Sequence, residues 1–418
     1  MNERLLQYIW QFQYFQSQHL LTTSGDALQI LHPGTLNTHQ GPDFSSAKIR
    51  IGQTIWAGHI ELHILSSDWH RHKHSNDVHY DNVILHVVWT DDGTTPAHIP
   101  VLVLENRVST LLLERYTTMM QTIATVACHH HLPVLSELTW FAWKERLMIE
   151  RLERKSQQII QLLQQNQQHW DEVFWWQLAS GFGSKLNAAF FERVAKSIPY
   201  AVVKRHCHHL DEMEALLFGQ AKMLHADLKD SYAKTLLRNH HHLKKKYTLE
   251  TVDGGPVFLR MRPASFPTIR LAQLAMLLYQ REHLFDQIRQ ANTAEEVMRL
   301  FQVKAGHYWN THFNFDEPVA TEPRFVGQQM VLHLMINVVV PILFSYGHAK
   351  GNTHYKEKVL HWLYQLAPEQ NKITRYWKST GISNRSALDT QSLLELHTQY
   401  CVNKRCLDCS VGNRLLRG

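Results

Sequence analysis

Asp43 and Glu61 are the residues whose types and spacing could most directly do chemistry. Asp43 lies in Gly41-Pro42-Asp43-Phe44, and Glu61 in His59-Ile60-Glu61-Leu62-His63. Two carboxylates at one end of a sheet can share a divalent cation. A hard ion such as Mg²⁺ takes few carboxylates and keeps several waters. It can then activate a water and clamp a phosphate.

The elements between them must make this meeting possible. Ala47-Lys48-Ile49-Arg50-Ile51 alternates, Gly52-Gln53 can turn, and Ile55-Trp56-Ala57-Gly58 leads into a second strand. This is a hairpin pattern. Alternation places His59, Glu61 and His63 on one face and Ile60, Leu62 and Ile64 on the other. Pro-Asp also opens ordinary turns, and a strand glutamate is often solvated. A face that gathers two imidazoles around a carboxylate is more than solubility requires.

Ser67-Asp68-Trp69-His70-Arg71-His72-Lys73-His74 follows directly. On an extended strand His70, His72 and His74 would share a face and could ligate a metal, with His79 beside them. On a loop they would be solvated or would touch phosphate next to the ion. A zinc hydrolase built on the histidines from His59 to His79 is therefore an alternative to the carboxylate site. Zinc favours imidazole, whereas a carboxylate pair favours Mg²⁺ or Mn²⁺.

The segment from Asp43 to His63 resembles the PD-(D/E)xK nucleases, with His63 where that family usually has Lys. The resemblance implies a restriction-endonuclease-like fold and metal ligation by Asp43, Glu61 and the backbone carbonyl of Leu62. It also implies that the residue at 63 assists the attacking water, and that an acid from the first helix completes the shell. Glu3 is the candidate for that acid. The histidine, and the Trp-His pair at 69–70, are similar to the very-short-patch mismatch endonuclease branch. This resemblance covers about the first quarter of the chain.

Nearly the whole chain also resembles a bacterial domain-of-unknown-function family. The residues that carry it are Gly-Pro-Asp-Phe at 41–44, Ile-Glu-Leu-His at 60–63, Ser-Ser-Asp-Trp at 66–69 and Val-Ile-Leu-His-Val-Val at 83–88. Arg260-Met261-Arg262-Pro263, Phe266-Pro267-Thr268-Ile269-Arg270 and the cysteine-rich end extend it. That family implies no activity.

The second strong signal is Cys401-x4-Cys406-x2-Cys409 near the end of the chain. Closely spaced thiolates suit a soft metal, and a metal would tie down a terminus that otherwise frays. Cys128 is the preferred fourth ligand, because it lies in a loop-like stretch just after the expected sheet. Cys207, His129 and His206 are the other candidates. RecB-like exonucleases, a branch of the PD-(D/E)xK nucleases, hold a [4Fe–4S] cluster with one distant cysteine and a C-terminal trio. The outline here is similar, with different spacing, so Zn²⁺ and [4Fe–4S] both stand.

A chain of 418 residues, 44% hydrophobic and 19% charged, is long enough for two domains. Five cysteines in such a chain do not suggest a disulfide scaffold. The N-terminus is polar, and the longest apolar run, Val338–Phe344, is short and broken by Pro341. The expectation is a cytoplasmic protein without a membrane span. A formal charge of +6, with 30 histidines besides, permits nucleic-acid binding without demanding it. Basic stretches that could follow a phosphate backbone include Lys244-Lys245-Lys246 and Arg260-Met261-Arg262. Phe174-Trp175-Trp176 and Tyr308-Trp309 could stack on bases, although core packing is the commoner fate of such residues.

Residues 1–20 read as a helix, and 28–31, 47–51, 55–64, 83–89 and 99–104 as strands, with a turn at 91–94. Helices read at 140–168, 171–180, 184–196, 211–224, 229–246, 268–280, 293–303, 325–345, 354–366 and 390–400. The expected architecture is an α/β or α+β nuclease-like domain over 1–130. An all-α domain over 131–418 follows it and carries the cysteines. The boundary is expected near Cys128–Pro133. A non-catalytic nucleic-acid-binding or scaffold protein, its chemistry lost with the lysine, is the rival to the nuclease.

Overall fold

The computed structural model describes residues 1–93, 98–132 and 135–417. Thr94 of the expected turn and Pro133 of the expected boundary lie outside the described residues. Two compact units divide the chain. Unit 1 comprises Met1–Glu137 with Leu396–Gly418, and unit 2 comprises Leu138–Glu395. The division differs from the expected one at its far end. Residues 396–418 leave the helices and join the sheet unit, because Leu407 and Leu416 bury themselves in the core around Leu5, Leu112 and Met119.

Unit 1 opens with α1 (Glu3–Gln11), capped by Asn2, whose side chain accepts from the Leu5 N–H at 2.9 Å. Leu5, Leu6, Ile9 and Trp10 share its buried face. The helix stops well short of residue 20, since Gln13 and His19 take left-handed backbone angles of 55° and 52° that end helical pairing.

The strands are β1 (Leu20–Leu21), β2 (Ala27–His32), β3 (Thr35–Leu36), β4 (Phe44–Ile51), β5 (Thr54–Leu65), β6 (Val83–Thr90) and β7 (Val101–Val103). They form one mixed sheet ordered β1-β2-β4-β5-β6-β7, with β3 also paired to β4. β4 and β5 make the expected antiparallel hairpin, whereas β6 and β7 run parallel to β5. Parallel strands need a crossover. Residues 66–82 supply it, and they carry His70, His72 and His74. They fold as α2 (Asp68–Arg71) and two 3₁₀ turns, not as a strand.

The sequence explains these choices. Val83–Val88 is apolar almost throughout and buried on both faces, as a central parallel strand must be. In β5, Ile60 and Leu62 face the apolar core. Glu61 and His63 point the other way and are buried as well, at 5% and 1% exposure. The ladder is irregular between Phe44 and Ala47 of β4, where Ser46 takes a left-handed angle of 57°. Such bulges re-aim side chains at strand ends and occur often beside active sites.

Gly58 fixes the approach of β6 to β5. A Cβ there would lie 2.5 Å from both the Asn82 carbonyl oxygen and Ile84 Cγ2. Gly58→Ala should therefore cost about 1–3 kcal/mol through overpacking. Denaturant melts of the two proteins measure it.

Unit 2 is helical apart from a small ribbon, His312–Asn314 with Glu317–Pro318, which the all-α expectation did not include. Asp316 forms its tip with a left-handed angle of 62°. Its carboxylate accepts from the Lys229 and Asp230 N–H groups at 2.8 Å each. Trp175, Trp309, Phe182, Phe191 and Phe218 lie in the core of this unit, so the aromatic runs considered for base stacking are packing residues. One helical stretch, Gln328–Ala349, is long and apolar enough to cross a membrane by length and composition, and 78% of its apolar window is buried inside the protein. It continues through Pro341 because a π turn, Met335–Val339, precedes the proline and Pro341 stands at the start of the next helical segment.

Candidate metal centre

Asp43 and Glu61 meet where β4 begins, and backbone amides lock them together. The Asp43 N–H donates to Glu61 Oε2 at 3.0 Å, and the Leu62 N–H donates to Asp43 Oδ2 at 3.1 Å. Gln7 of α1 donates from Nε2 to Asp43 Oδ1 at 2.8 Å. The Gly41-Pro42 corner before Asp43 is held by Asn37, whose Nδ2 donates to the Pro42 carbonyl at 3.0 Å.

Burial, then the Glu61 carboxylate, then Glu3, push the Asp43 carboxyl up to about 7, against the opposing bonds from Leu62 and Gln7. Glu3 of α1 thus stands close enough to act on Asp43. A divalent ion is a natural neutralising partner for a carboxylate placed against two others.

The imidazoles adjoin this pair. His63 Nε2 lies 3.5 Å from Glu61 Oε1, and His74 Nε2 lies 3.4 Å from the same oxygen. His63 Nε2 is also 3.2 Å from His72 Nδ1. Ligand nitrogens of His63, His72 and His74 lie within 4.8 Å of one another, and among the described residues this is the one such group of three or more. His63 is deeply buried, His74 partly buried and His72 exposed, so the cluster opens to solvent at His72. The His74 ring stacks between His63, at 5.2 Å and 16°, and Tyr80, at 3.9 Å and 21°. Trp69, 2% exposed, holds His74 and His86 edge-on at 5.4 and 5.2 Å. Its indole N–H donates to Ser75 Oγ at 3.1 Å.

Burial, followed by the neighbouring imidazoles and Arg71, pulls His63 down to about 2, so it is neutral. His63 Nδ1 is 2.8 Å from His86 Nε2. Burial first, and then His74, also lower His86, to about 4. A neutral imidazole has one N–H and one lone pair. If His63 donates from Nδ1 to His86, its Nε2 lone pair faces His72 and the Glu61 oxygen. Two lone-pair-bearing atoms then face each other, and a cation between them resolves the conflict. A metal-bound histidine whose second nitrogen is hydrogen-bonded has this orientation.

Not every expected residue joins the cluster. His70 of α2 is exposed and makes none of these contacts; the helical turn sends it away from His72 and His74. Lys244, Lys245, Arg260 and Arg262 belong to unit 2. Lys245, Arg260 and Arg262 are exposed there, and Lys244 Nζ donates to Thr251 Oγ1 at 3.0 Å. The Leu62 amide bonds Asp43 Oδ2. Sequence reasoning assigned no role to Gln7, His86 or Tyr80. A lone histidine inside the apolar run 83–88 was the available signal for His86. Gln7 follows Glu3 by four residues, on the same helix face.

Cys128, Cys401, Cys406 and Cys409 all fall in unit 1, whereas Cys207 falls in unit 2.

The fold and site define a two-unit protein whose mixed-sheet unit gathers acids and imidazoles at one strand end. The chain belongs to the family described as Protein of unknown function (DUF2851), whose model matches residues 3–372. No curated protein and no solved structure matches it.

Proposed function

We propose that the chain is a metal-dependent hydrolase of phosphodiester bonds in DNA or RNA, built on a restriction-endonuclease-like unit. The observation that carries this reading is the interlocked pair Asp43 and Glu61, with Glu3 beside it and His63 at its edge. Asp43, Glu61 and the Leu62 carbonyl would hold Mg²⁺ or Mn²⁺, with Glu3 in the outer shell. An ion held there would polarise the phosphate and lower the pKa of a bound water. His63, neutral and backed by His86, would orient that water through a ring nitrogen. Gln7 keeps the Asp43 carboxylate aimed, and His72 and His74 would border the phosphate path, with His70 turned outward. The basic stretches at 244–246 and 260–262 of unit 2 would add sequence-independent grip on the backbone, which should weaken steeply with salt.

A second reading rests on the imidazole trio. Three histidine nitrogens within 4.8 Å suit Zn²⁺, with Glu61 as a fourth ligand. This would be a zinc hydrolase rather than a Mg²⁺ nuclease.

The test is incubation of the purified protein with labelled single- and double-stranded DNA and RNA in Mg²⁺, Mn²⁺ or Zn²⁺. Cleavage in Mg²⁺ or Mn²⁺ that Asp43→Asn removes supports the first reading. Activity in Zn²⁺ alone, lost in His72→Ala and kept in Asp43→Asn, supports the second. Salt-sensitive binding with no cleavage in any metal would sink both and leave a nucleic-acid-binding protein.

A further inference from the structure

The four cysteines of unit 1 come from two distant stretches of chain. Cys128 stands at the start of the 3₁₀ turn His129–His131. Cys401 ends the π turn Leu396–Cys401, Cys406 opens the 3₁₀ turn Cys406–Asp408, and Cys409 directly precedes the helix Ser410–Arg417. All four are free thiols, with Cys128 and Cys409 buried and the other two partly so.

Their sulfurs form a closed set of neighbours. Burial comes first for each thiol and pushes it up, Cys409 to about 11. Beyond it, Cys128 feels Cys406 and Cys409, Cys401 feels the other three, and Cys409 feels Cys406. Every one of the possible pairs therefore interacts. The Val411 and Gly412 N–H groups at the helix start both donate to Cys409. Amides aimed at a sulfur favour the thiolate, the form that binds metal. Gly412 is required for this approach, since a Cβ there would lie 2.1 Å from the Cys406 carbonyl oxygen.

The surrounding contacts hold the C-terminal stretch in place. Arg4 Nη2 meets Asp408 Oδ2 at 2.5 Å, Lys404 Nζ donates to the Met120 carbonyl at 2.5 Å, and Leu407 and Leu416 enter the core. The Arg4–Asp408 ion pair is at the surface and contributes little.

We infer that Cys128, Cys401, Cys406 and Cys409 form one four-thiolate metal site that latches residues 396–418 onto the sheet unit. The site takes a thiolate-seeking centre, either Zn²⁺ or an iron–sulfur cluster. It joins the two stretches of unit 1 that flank residues 138–395 in the chain, so it closes a very long loop. Loop-closure entropy grows only slowly with length, and binding of a structural metal is itself folding free energy. Around a single Zn²⁺, bonds of about 2.3 Å put tetrahedral sulfurs about 3.8 Å apart. Among the described residues no three of these sulfurs lie within 4.8 Å of one another. Zinc would draw the sulfurs inward, whereas a multi-iron cluster spans a wider quartet. This site does not depend on the nuclease reading.

The test is metal and acid-labile sulfide analysis of full-length protein purified without oxygen, with amide hydrogen exchange on the same samples. About one zinc per chain, or about four irons with matching sulfide, supports the site and names the metal. Cys406→Ser should lose at least about nine-tenths of the metal and speed exchange across 397–417 by about tenfold or more. If Cys406→Ser does not fold, Cys401→Ser, at a position that is likewise only partly buried, reads the same effect. Cys207→Ser should change neither measurement. A folded protein that carries no metal, and takes up neither added Zn²⁺ nor a reconstituted cluster, would overturn the inference. So would metal loss in Cys207→Ser equal to that in Cys406→Ser.

Discussion

Asp43→Asn should abolish most metal-dependent cleavage and at the same time make the metal-free protein more stable. An ion that clamps a phosphate contributes several kcal/mol to the transition state. Weakening its site should cost about 10³-fold in rate at saturating substrate. Glu61→Gln should do the same. Stability moves the opposite way because Asp43 is half-buried beside Glu61 and Glu3. Its folded-state pKa is raised, so its favourable contribution is complete below the ordinary carboxylate range and is lost as pH rises through about 7. Thermal melts of chelated wild-type protein should fall between pH 5 and pH 8. The Asn variant should lack that part of the slope and gain roughly 1–2 kcal/mol at pH 8. A variant that loses activity and stability together would mean that Asp43 is a structural residue.

Trp69→Ala should give a large loss of stability in unit 1. The indole is 2% exposed and forms the wall against which His74, His86 and Tyr80 rest. Deleting a buried aromatic costs about 3–5 kcal/mol. The same change frees His74 to turn away from Glu61, so metal affinity should fall by about 10–100-fold, the usual effect of losing the residues that orient ligands. Urea melts and a metal titration read the two effects. Trp69→Phe keeps an aromatic wall and loses only the bond to Ser75, so it should retain most of the affinity. Equal loss in both variants would place the effect in the Ser75 bond instead.

The carboxylate pair was legible because strand alternation is a local property. Once Gly52-Gln53 turned the chain, Glu61 and His63 had to share a face, and Asp43 had to lie near the open end. The histidines after Ser67 were half legible. Alternation suggested one face for His70, His72 and His74. The parallel pairing of β5 with β6 demanded a crossover instead, and its short helical turns sent His70 outward while bringing His72 and His74 onto His63. His86 was hidden within an apolar strand, where one polar residue reads as an exception until its partner is seen 2.8 Å away.

The end of the chain was the least legible part. Cys128 was named from its setting alone. The return of residues 396–418 to unit 1 depends on contacts hundreds of residues apart, such as the Arg115 guanidinium with the Leu416 carbonyl, which no local pattern encodes. The helix over 328–349 was legible as one over 325–345, because its apolar run outweighs Pro341, which a π turn accommodates.

The central claim is that the acids and imidazoles at the start of β4 hold a catalytic divalent ion. The most direct measurement is anomalous scattering at the manganese edge from crystals grown with Mn²⁺. The account predicts a single strong peak within ligand distance, about 2.0–2.6 Å, of carboxylate oxygens of both Asp43 and Glu61. It also predicts that the peak disappears in crystals of Asp43→Asn. A peak bound by His63, His72 and His74 without Asp43 would move the chemistry to the imidazoles. No peak in either place, at Mn²⁺ concentrations that support full activity, would contradict the account.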